Sequence, residues 1–283
     1  MKYEIAFKTY LQRIERHLNQ SLPPASQYPE AIHEAMRYSV LNGGKRFRPV
    51  LALAACEACG GDIESALVPA VSLELIHTYS LIHDDLPALD NDDTRRGQPT
   101  CHKKYGEAMA ILAGDALLTL AFQVLTGIRP AAKALELLGE ISTAAGTYGM
   151  IGGQVADLTV SGEDLDLPMV DFISIHKTGK LIKAAAVCGA IAANADREIR
   201  HRMQRYGEYL GLAFQSVDDM LDGDGYMKVM KPREMRQKVR DLIAKAKKEI
   251  RPLGKKAGKL QILADFLLKR MPKQAYVSVD RKN

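Results

Sequence analysis

The chain has 283 residues, 47% of them hydrophobic, so it can bury a sizeable core as one large domain or two small ones. Its net charge of +5 is uneven: residues 228–273 hold 16 Lys/Arg against 4 Asp/Glu, which leaves the remainder acidic. Leu242, Ile243, Ile250, Leu260 and Leu263 recur through that basic segment, so it reads as solvated helix faces and a nucleic-acid tail is not expected.

Apolar residues three and four apart predict helices over 2–20, 29–42, 48–59, 63–85, 107–127, 131–150, 168–195, 197–222, 232–250 and 256–270. Breaks fall at Leu22-Pro23-Pro24, Asn42-Gly43-Gly44, Gly60-Gly61, 162–168 and Gly223 to Gly225. Strand-like alternation is nearly absent. The segments 63–85 and 168–195 are apolar around most of their circumference, which suits helices inside a bundle. No linker marks a boundary, so one all-α domain over 1–283 is expected. Cys56 and Cys59, in the apolar run VLALAACEAC, lack further ligands at zinc spacing and read as core residues. Reduced thiols fit a cytoplasmic location. The opening MKYEIAFKTYLQRIERHL is amphipathic without a signal-peptide core, and no unbroken apolar run reaches ~18 residues, so no membrane span is expected.

Two predicted helices end in acid. The first runs into LIHDDLPALDNDDTRRG and the second into FQSVDDMLDGDG. A helix C-terminus already carries about half a negative charge, so aspartates there are unfavourable without a positive partner. On the second helix Asp218 and Asp222 lie about 40° apart and Asp219 about 100° from Asp218, so three carboxylates share a face. Asp84 and Asp85 close the first helix, but Asp90 lies beyond Pro87 and needs a loop to return it. Mg²⁺ suits such open sites, taking one or two carboxylates together with phosphate oxygens and water. The turn NGGKRFRP places Lys45, Arg46 and Arg48 at the start of a helix, again the wrong sign unless an anion binds there. Arg95 and Arg96 follow the first acidic cluster, where guanidinium forks can hold phosphate or neutralise Asp92 and Asp93. His77 lies seven residues before Asp84, on the same helix face.

Taken in order, GGKRFRP, ELIHTYSLIHDDLPALDNDDTRRG, LAGDALLTLAF, GGQVADL, HKTGKL and FQSVDDMLD resemble the short-chain trans-prenyl diphosphate synthases. The resemblance covers most of the chain. It implies an isoprenoid-synthase-type helical bundle with a deep central cavity, working as a homodimer. It further implies that Asp84, Asp85, Asp90, Asp218, Asp219 and Asp222 bind three Mg²⁺ ions and, through them, an allylic diphosphate. By matching motif, Arg95 and Lys177 contact that diphosphate, and Thr178 and Gln215 line the reaction centre. Lys45, Arg48, His77 and Arg96 match the isopentenyl diphosphate pocket, and Gln154 and Asp157 a further motif on the cavity wall.

The implied substrates are isopentenyl diphosphate with dimethylallyl or geranyl diphosphate. Tyr79 and Ser80 sit about one turn from the metals, where the growing chain points, and an aromatic there accompanies a farnesyl product in the family. Geranylgeranyl and geranyl diphosphate are the alternatives within the family; a class I terpene cyclase or a non-catalytic partner subunit lies further off. One departure stands out: where the family continues with a GK…G…D segment and a K-[ST] pair, this chain reads GDGYMKVMKPREMRQK, leaving Lys228 or Lys231 as substitutes for the missing lysine.

Overall fold

The computed structural model describes residues 3–160 and 165–272. It is all-α, with one two-residue hairpin. In chain order come α1 (Tyr3–Ala6), α2 (Lys8–Ser21), α3 (Glu30–Leu41), α4 (Phe47–Ala58) and α5 (Glu64–Asp84). The hairpin β1 (Thr94–Arg95) and β2 (Gln98–Pro99) follows, antiparallel with Thr94 opposite Pro99. After it run α6 (Cys101–Tyr105), α7 (Glu107–Leu125), α8 (Ala131–Ala145), α9 (Met150–Thr159) and α10 (Leu167–Ile173). A π-helical turn (Ser174–Gly179) leads into α11 (Lys180–Ala192), α12 (Arg197–Asp222), α13 (Tyr226–Val229) and α14 (Pro232–Ile250). A 3₁₀ segment (Arg251–Ala257) and α15 (Gly258–Arg270) complete the described chain.

Two compact units emerge: residues 1–53 with 62–139, and residues 54–61 with 140–283. Both are discontinuous in sequence, which is why no linker announces a boundary.

In the first unit, α5 packs against α7. Ser72 Oγ donates to the Ala121 carbonyl at 2.7 Å, and the His83 ring lies where a Cβ on Gly114 would be, 2.1 Å from its Nε2. Val71, Leu73, Leu75 and Ile76 are all buried, each removal from water contributing about 1.5–3 kcal/mol. By length and composition α5 and α7 could each cross a membrane. For α5 that apolarity belongs to a core helix, whereas α7 exposes Ile111 and Leu112.

In the second unit, α12 is the central rod. Asp196 caps it by accepting from Ile199 N at 2.8 Å, worth about 1 kcal/mol, and Gly223 ends it in the left-handed conformation at φ 75°. It crosses α11 and the π turn closely: a Cβ on Gly207 would meet Lys183 Cα at 2.7 Å, and one on Gly211 would meet Gly179 Cα at 2.8 Å. Tyr206 Oη ties it to α15 through the Leu260 carbonyl at 2.7 Å. As expected, the basic α14 buries Val239, Leu242, Ile243 and Ile250; Arg233, Arg240, Lys245 and Lys248 are exposed, whereas Arg236 has Nε and Nη2 buried and Lys238 pairs with Asp171 at 2.7 Å.

Most predicted helices are present within a residue or two, but the one expected over 2–20 is split at Phe7 into α1 and α2, the short α13 was not expected, and further regions differ. The helix expected over 131–150 stops at Ala145, because a new one starts at Met150 behind Gly149, whose missing Cβ would collide with the Ala144 carbonyl at 2.0 Å. The helix expected over 168–195 runs without a gap from Leu167 to Ala192, with a π-helical turn over Ser174–Gly179 that was not expected. The hairpin and α6 fill a stretch where no element was expected. The predicted break at 162–168 lies partly outside the described residues.

Candidate active site

The last turn of α5 answers how its aspartates are organised. Leu86 N bonds to the His83 carbonyl at 3.1 Å, and Pro87 then stops the helix. Asn91, at φ 52°, turns the chain back, so that Asp90 N donates to the Asp84 carbonyl at 2.8 Å and Asn91 N to the Leu86 carbonyl at 3.1 Å. Asp84 is half-buried and Asp90 exposed. Asp85 faces the protein: its Oδ1 and Oδ2 accept from Arg95 Nε at 2.7 and 2.9 Å, and Arg95 Nη2 also reaches Asp92 at 3.1 Å. Burial pushes the Asp85 carboxyl upward, and Arg95 opposes the shift.

Beside it lies the basic turn, and here an expectation fails. Helix α4 starts only at Phe47, so Lys45 and Arg46 precede its first turn. Arg46 is fully buried among Glu15, Glu74 and the Val40 carbonyl, so its charge is answered by carboxylates and not by an anion. Arg96 donates to the Gly43 carbonyl and its guanidinium lies on Gly44, where a Cβ would sit 2.7 Å from Arg96 Cζ. Lys45 is exposed and Arg48 buried. Burial, and then Arg48, Arg96, Arg46 and Arg95, hold the His77 imidazole well below its ordinary range, so it is neutral at pH 7. A ≈ 30 Å³ cavity in this unit is lined by Thr78, Asp85, Arg95 and Arg96.

One turn back on α5, Tyr79 is buried with its ring edge-on to His83, centroids 5.8 Å apart. Its hydroxyl has no hydrogen-bond partner, and burial pushes the phenol up to about 12. Ser80 Oγ is occupied by the His77 carbonyl at 2.9 Å.

The second acidic end departs from the expected shared face. Asp219 is buried: Oδ1 accepts from Gln215 Nε2 at 2.7 Å and Oδ2 from Tyr226 N at 2.9 Å. The turn at Gly225 wraps so closely that a Cβ there would lie 2.3 Å from Asp219 Oδ2. Burial pushes Asp219 up to about 6, against those two hydrogen bonds. Asp218, half-buried, pairs with Arg270 Nη2 at 2.8 Å, while Asp222 is exposed. The helical wheel alone missed this division because the turn after Gly223 supplies a backbone donor from one side only. Thr178 Oγ1 donates to Gln215 Oε1 at 2.7 Å, continuing the chain to Asp219.

The π turn sets Lys177 and Thr178. A Cβ on Gly153 of α9 would lie 2.1 Å from Lys177 N, so the two backbones meet there. Lys177 Nζ pairs with Asp157 at 2.6 Å, and Gln154 Oε1 is buried with no hydrogen-bond partner. Of the two substitutes for the missing lysine, Lys228 pairs with Asp224, and Lys231 precedes α14, its amide donating to Glu234 at 3.2 Å.

Among the described residues, no three His, Cys, Asp or Glu side chains converge as a metal cage. The four described cysteines are free thiols, with Cys56 buried and Cys59 half-buried. The α5 end carries the carboxylates of Asp84, Asp85 and Asp90, with the Asp90 amide bonded to the Asp84 carbonyl. That donor set fits Mg²⁺, which leaves most of its shell to water and phosphate.

The α5 end thus sets acidic side chains against Arg95, whose neighbours include further arginines. Comparison with known proteins identifies the family. The polyprenyl synthetase family model matches residues 29–242. A dimethylallyltranstransferase of Fischerella ambigua (strain UTEX 1903) is 44% identical over 92% of this chain and 81% of its own length. A geranylgeranyl diphosphate synthase of Cyanophora paradoxa is 42% identical over 91% and 93%. The apo crystal structure of an FPP/GFPP synthase from Zymomonas mobilis superposes with a TM-score of 0.88 at 36% identity, covering 94% of this chain and 98% of that one. The chain belongs to the polyprenyl synthetase family, as a trans-prenyltransferase of the short-chain prenyl diphosphate synthase type.

Proposed function

We propose that the chain condenses isopentenyl diphosphate with dimethylallyl and then geranyl diphosphate to give farnesyl diphosphate. The observation that carries the reading is the folded-back end of α5, where the Asp90 amide bonds to the Asp84 carbonyl and the Asp84 and Asp85 carboxylates act on Arg95. Asp84 and Asp90, with Asp218 and Asp222, would hold Mg²⁺, for which the family resemblance implies three ions and adds Asp85 and Asp219 as ligands. Bound there, Mg²⁺ supplies Lewis acidity toward the leaving diphosphate.

The chain's own groups do the rest. Lys45, Arg48 and Arg96 bind the diphosphate of isopentenyl diphosphate, and neutral His77 offers a hydrogen bond without adding repulsion among the arginines. Arg95 and Lys177 bind the allylic diphosphate, each first leaving the carboxylate it holds, Asp85 and Asp157 respectively. These fixed cations stabilise the charge that develops as the C–O bond breaks. Thr178 and Gln215 orient the allylic carbon, and apolar walls exclude water from the cation. The double bond of isopentenyl diphosphate attacks that carbon, and the proton lost from the adduct goes to the released diphosphate.

Tyr79 supports the farnesyl product, since a buried ring there closes the path of a growing chain. Geranylgeranyl diphosphate is the second reading, favoured by the names of relatives such as that of Cyanophora paradoxa. A homodimer is proposed because α7 presents Ile111 and Leu112, an apolar face that a second copy would cover. The free thiols support a reducing, cytoplasmic setting. Incubation with isopentenyl and dimethylallyl diphosphates plus Mg²⁺, followed by chain-length analysis, tests the reading. Consumption of the allylic substrate alone would indicate a cyclase, and a C20 product the second reading.

A further inference from the structure

The geometry points to Arg46 as a positioning residue for the isopentenyl diphosphate pocket, a role that rests on the assignment of Lys45, Arg48 and His77 above. Its side chain has no exposed surface. Nε donates to Glu15 Oε1 of α2 at 2.7 Å, Nη1 to Glu74 Oε1 of α5 at 2.8 Å, and Nη2 to the Val40 carbonyl of α3 at 2.7 Å. Three helices thus converge on one guanidinium, whose planar fork fits all three directions at once.

The backbone shows what this convergence achieves. Arg46 lies at φ 49°, a left-handed conformation that costs a residue with a side chain about 1–2 kcal/mol. Gly43 and Gly44 before it also have positive φ, 73° and 117°. Such a turn persists only where its surroundings over-determine it. The turn carries Lys45 on one side of Arg46 and Arg48 two residues on, so the buried fork sets where both cations stand. Glu74 is also one turn before His77 on α5, so the acceptor that holds Arg46 shares a helix face with the pocket's imidazole.

Charge separates this role from that of a ligand. Arg46 faces two carboxylates, Glu15 and Glu74, and contributes no net positive charge to an incoming anion. Lys45, Arg48 and Arg96 keep that task. Arg46 therefore acts through its neighbours, making the pocket ready before the anion arrives, which lowers the ordering cost of binding.

The test compares Arg46→Lys with the double variant Arg46→Met/Glu74→Met. The double variant exchanges a buried ion pair for apolar groups of similar length, a change that buried pairs often tolerate. The Michaelis constant for isopentenyl diphosphate should rise about 10–100-fold in the double variant and by less in Arg46→Lys, the scale expected when binding groups are misplaced by about 1 Å. The constant for the allylic diphosphate should move less than about threefold, and calorimetry with inorganic pyrophosphate should show weaker binding. Glu15→Gln, which loosens only the half-exposed end, provides a folded variant in which the isopentenyl constant should still rise while the allylic one holds. A folded variant with an unchanged isopentenyl constant, or with both constants raised alike, overturns the role. Failure of the wild-type chain to use isopentenyl diphosphate overturns the functional reading instead.

Discussion

The amide of Asp90 donates to the carbonyl of Asp84 at 2.8 Å although Pro87 lies between them. The bond brings together the backbones of two acids on either side of a helix stop, and their proposed joint use of a cation is testable. Asp84→Asn and Asp90→Asn should each lower kcat by about 10²–10³-fold, the range seen when a transition-state charge loses one stabilising contact. On the proposed sharing of one ion, the double variant should fall well short of the product of the single losses. Steady-state kinetics across a Mg²⁺ titration measures this, and fully multiplicative losses would show that the two act separately.

Gly153 is the point at which α9 meets the π turn. Since a Cβ there would stand 2.1 Å from Lys177 N, Gly153→Ala must push the turn that carries Lys177 and Thr178. A stability loss of about 1–3 kcal/mol is expected from such overpacking. Turnover should drop more than stability, and thermal unfolding alongside kcat distinguishes the two. A variant with native kcat would show that the π turn can relax without consequence.

The Tyr79 hydroxyl is buried without a partner, so its removal leaves nothing newly unsatisfied. Tyr79→Phe should therefore keep both the product and the denaturation midpoint, or raise the latter slightly. Tyr79→Ala should lengthen the product and lower stability by about 3 kcal/mol. Chain-length analysis of the two variants decides, and an unaltered product from the alanine variant would mean that the ring only packs.

His77 should impose a pH dependence on stability in the ligand-free protein. Burial and the surrounding arginines depress its folded value well below that of an unfolded histidine, near 6.5. As pH falls through about 6.5 the unfolded chain gains a proton that the folded chain refuses, so stability present above that value declines with acidification. His77→Gln should flatten this decline. Urea midpoints at about pH 7.5 and 5.5 for both proteins provide the check, and parallel behaviour would count against a depressed histidine. An anionic diphosphate in the pocket should raise the same group, so binding should take up protons at mildly acidic pH.

Legibility differed between elements for identifiable reasons. Helices such as α12 and α14 were readable to the residue because their apolar spacing is regular, and Gly223 marks the end of the first. The break at Gly149 and the π turn left no such mark, since each depends on a close backbone approach, of Gly149 to Ala144 and of Gly153 to Lys177. Among the site residues, the six aspartates were visible as a charge pattern that helix electrostatics disfavours. Which of them are open to a cation was not visible. Asp219 is captured by Tyr226 N and Gln215, and Asp85 by Arg95, through contacts that no helical wheel contains.

By itself the sequence determined the all-α class, the placement of the principal helices and the chemistry of the candidate site, because periodicity and misplaced charge are local properties of the chain. Tertiary structure alone decided that Arg46 is buried while Lys45 is exposed, that Asp90 returns to Asp84, and that arginines surround His77. Each of those depends on how the folded chain brings groups together, and a charge such as that of Arg46, once taken from water, must find its partners there.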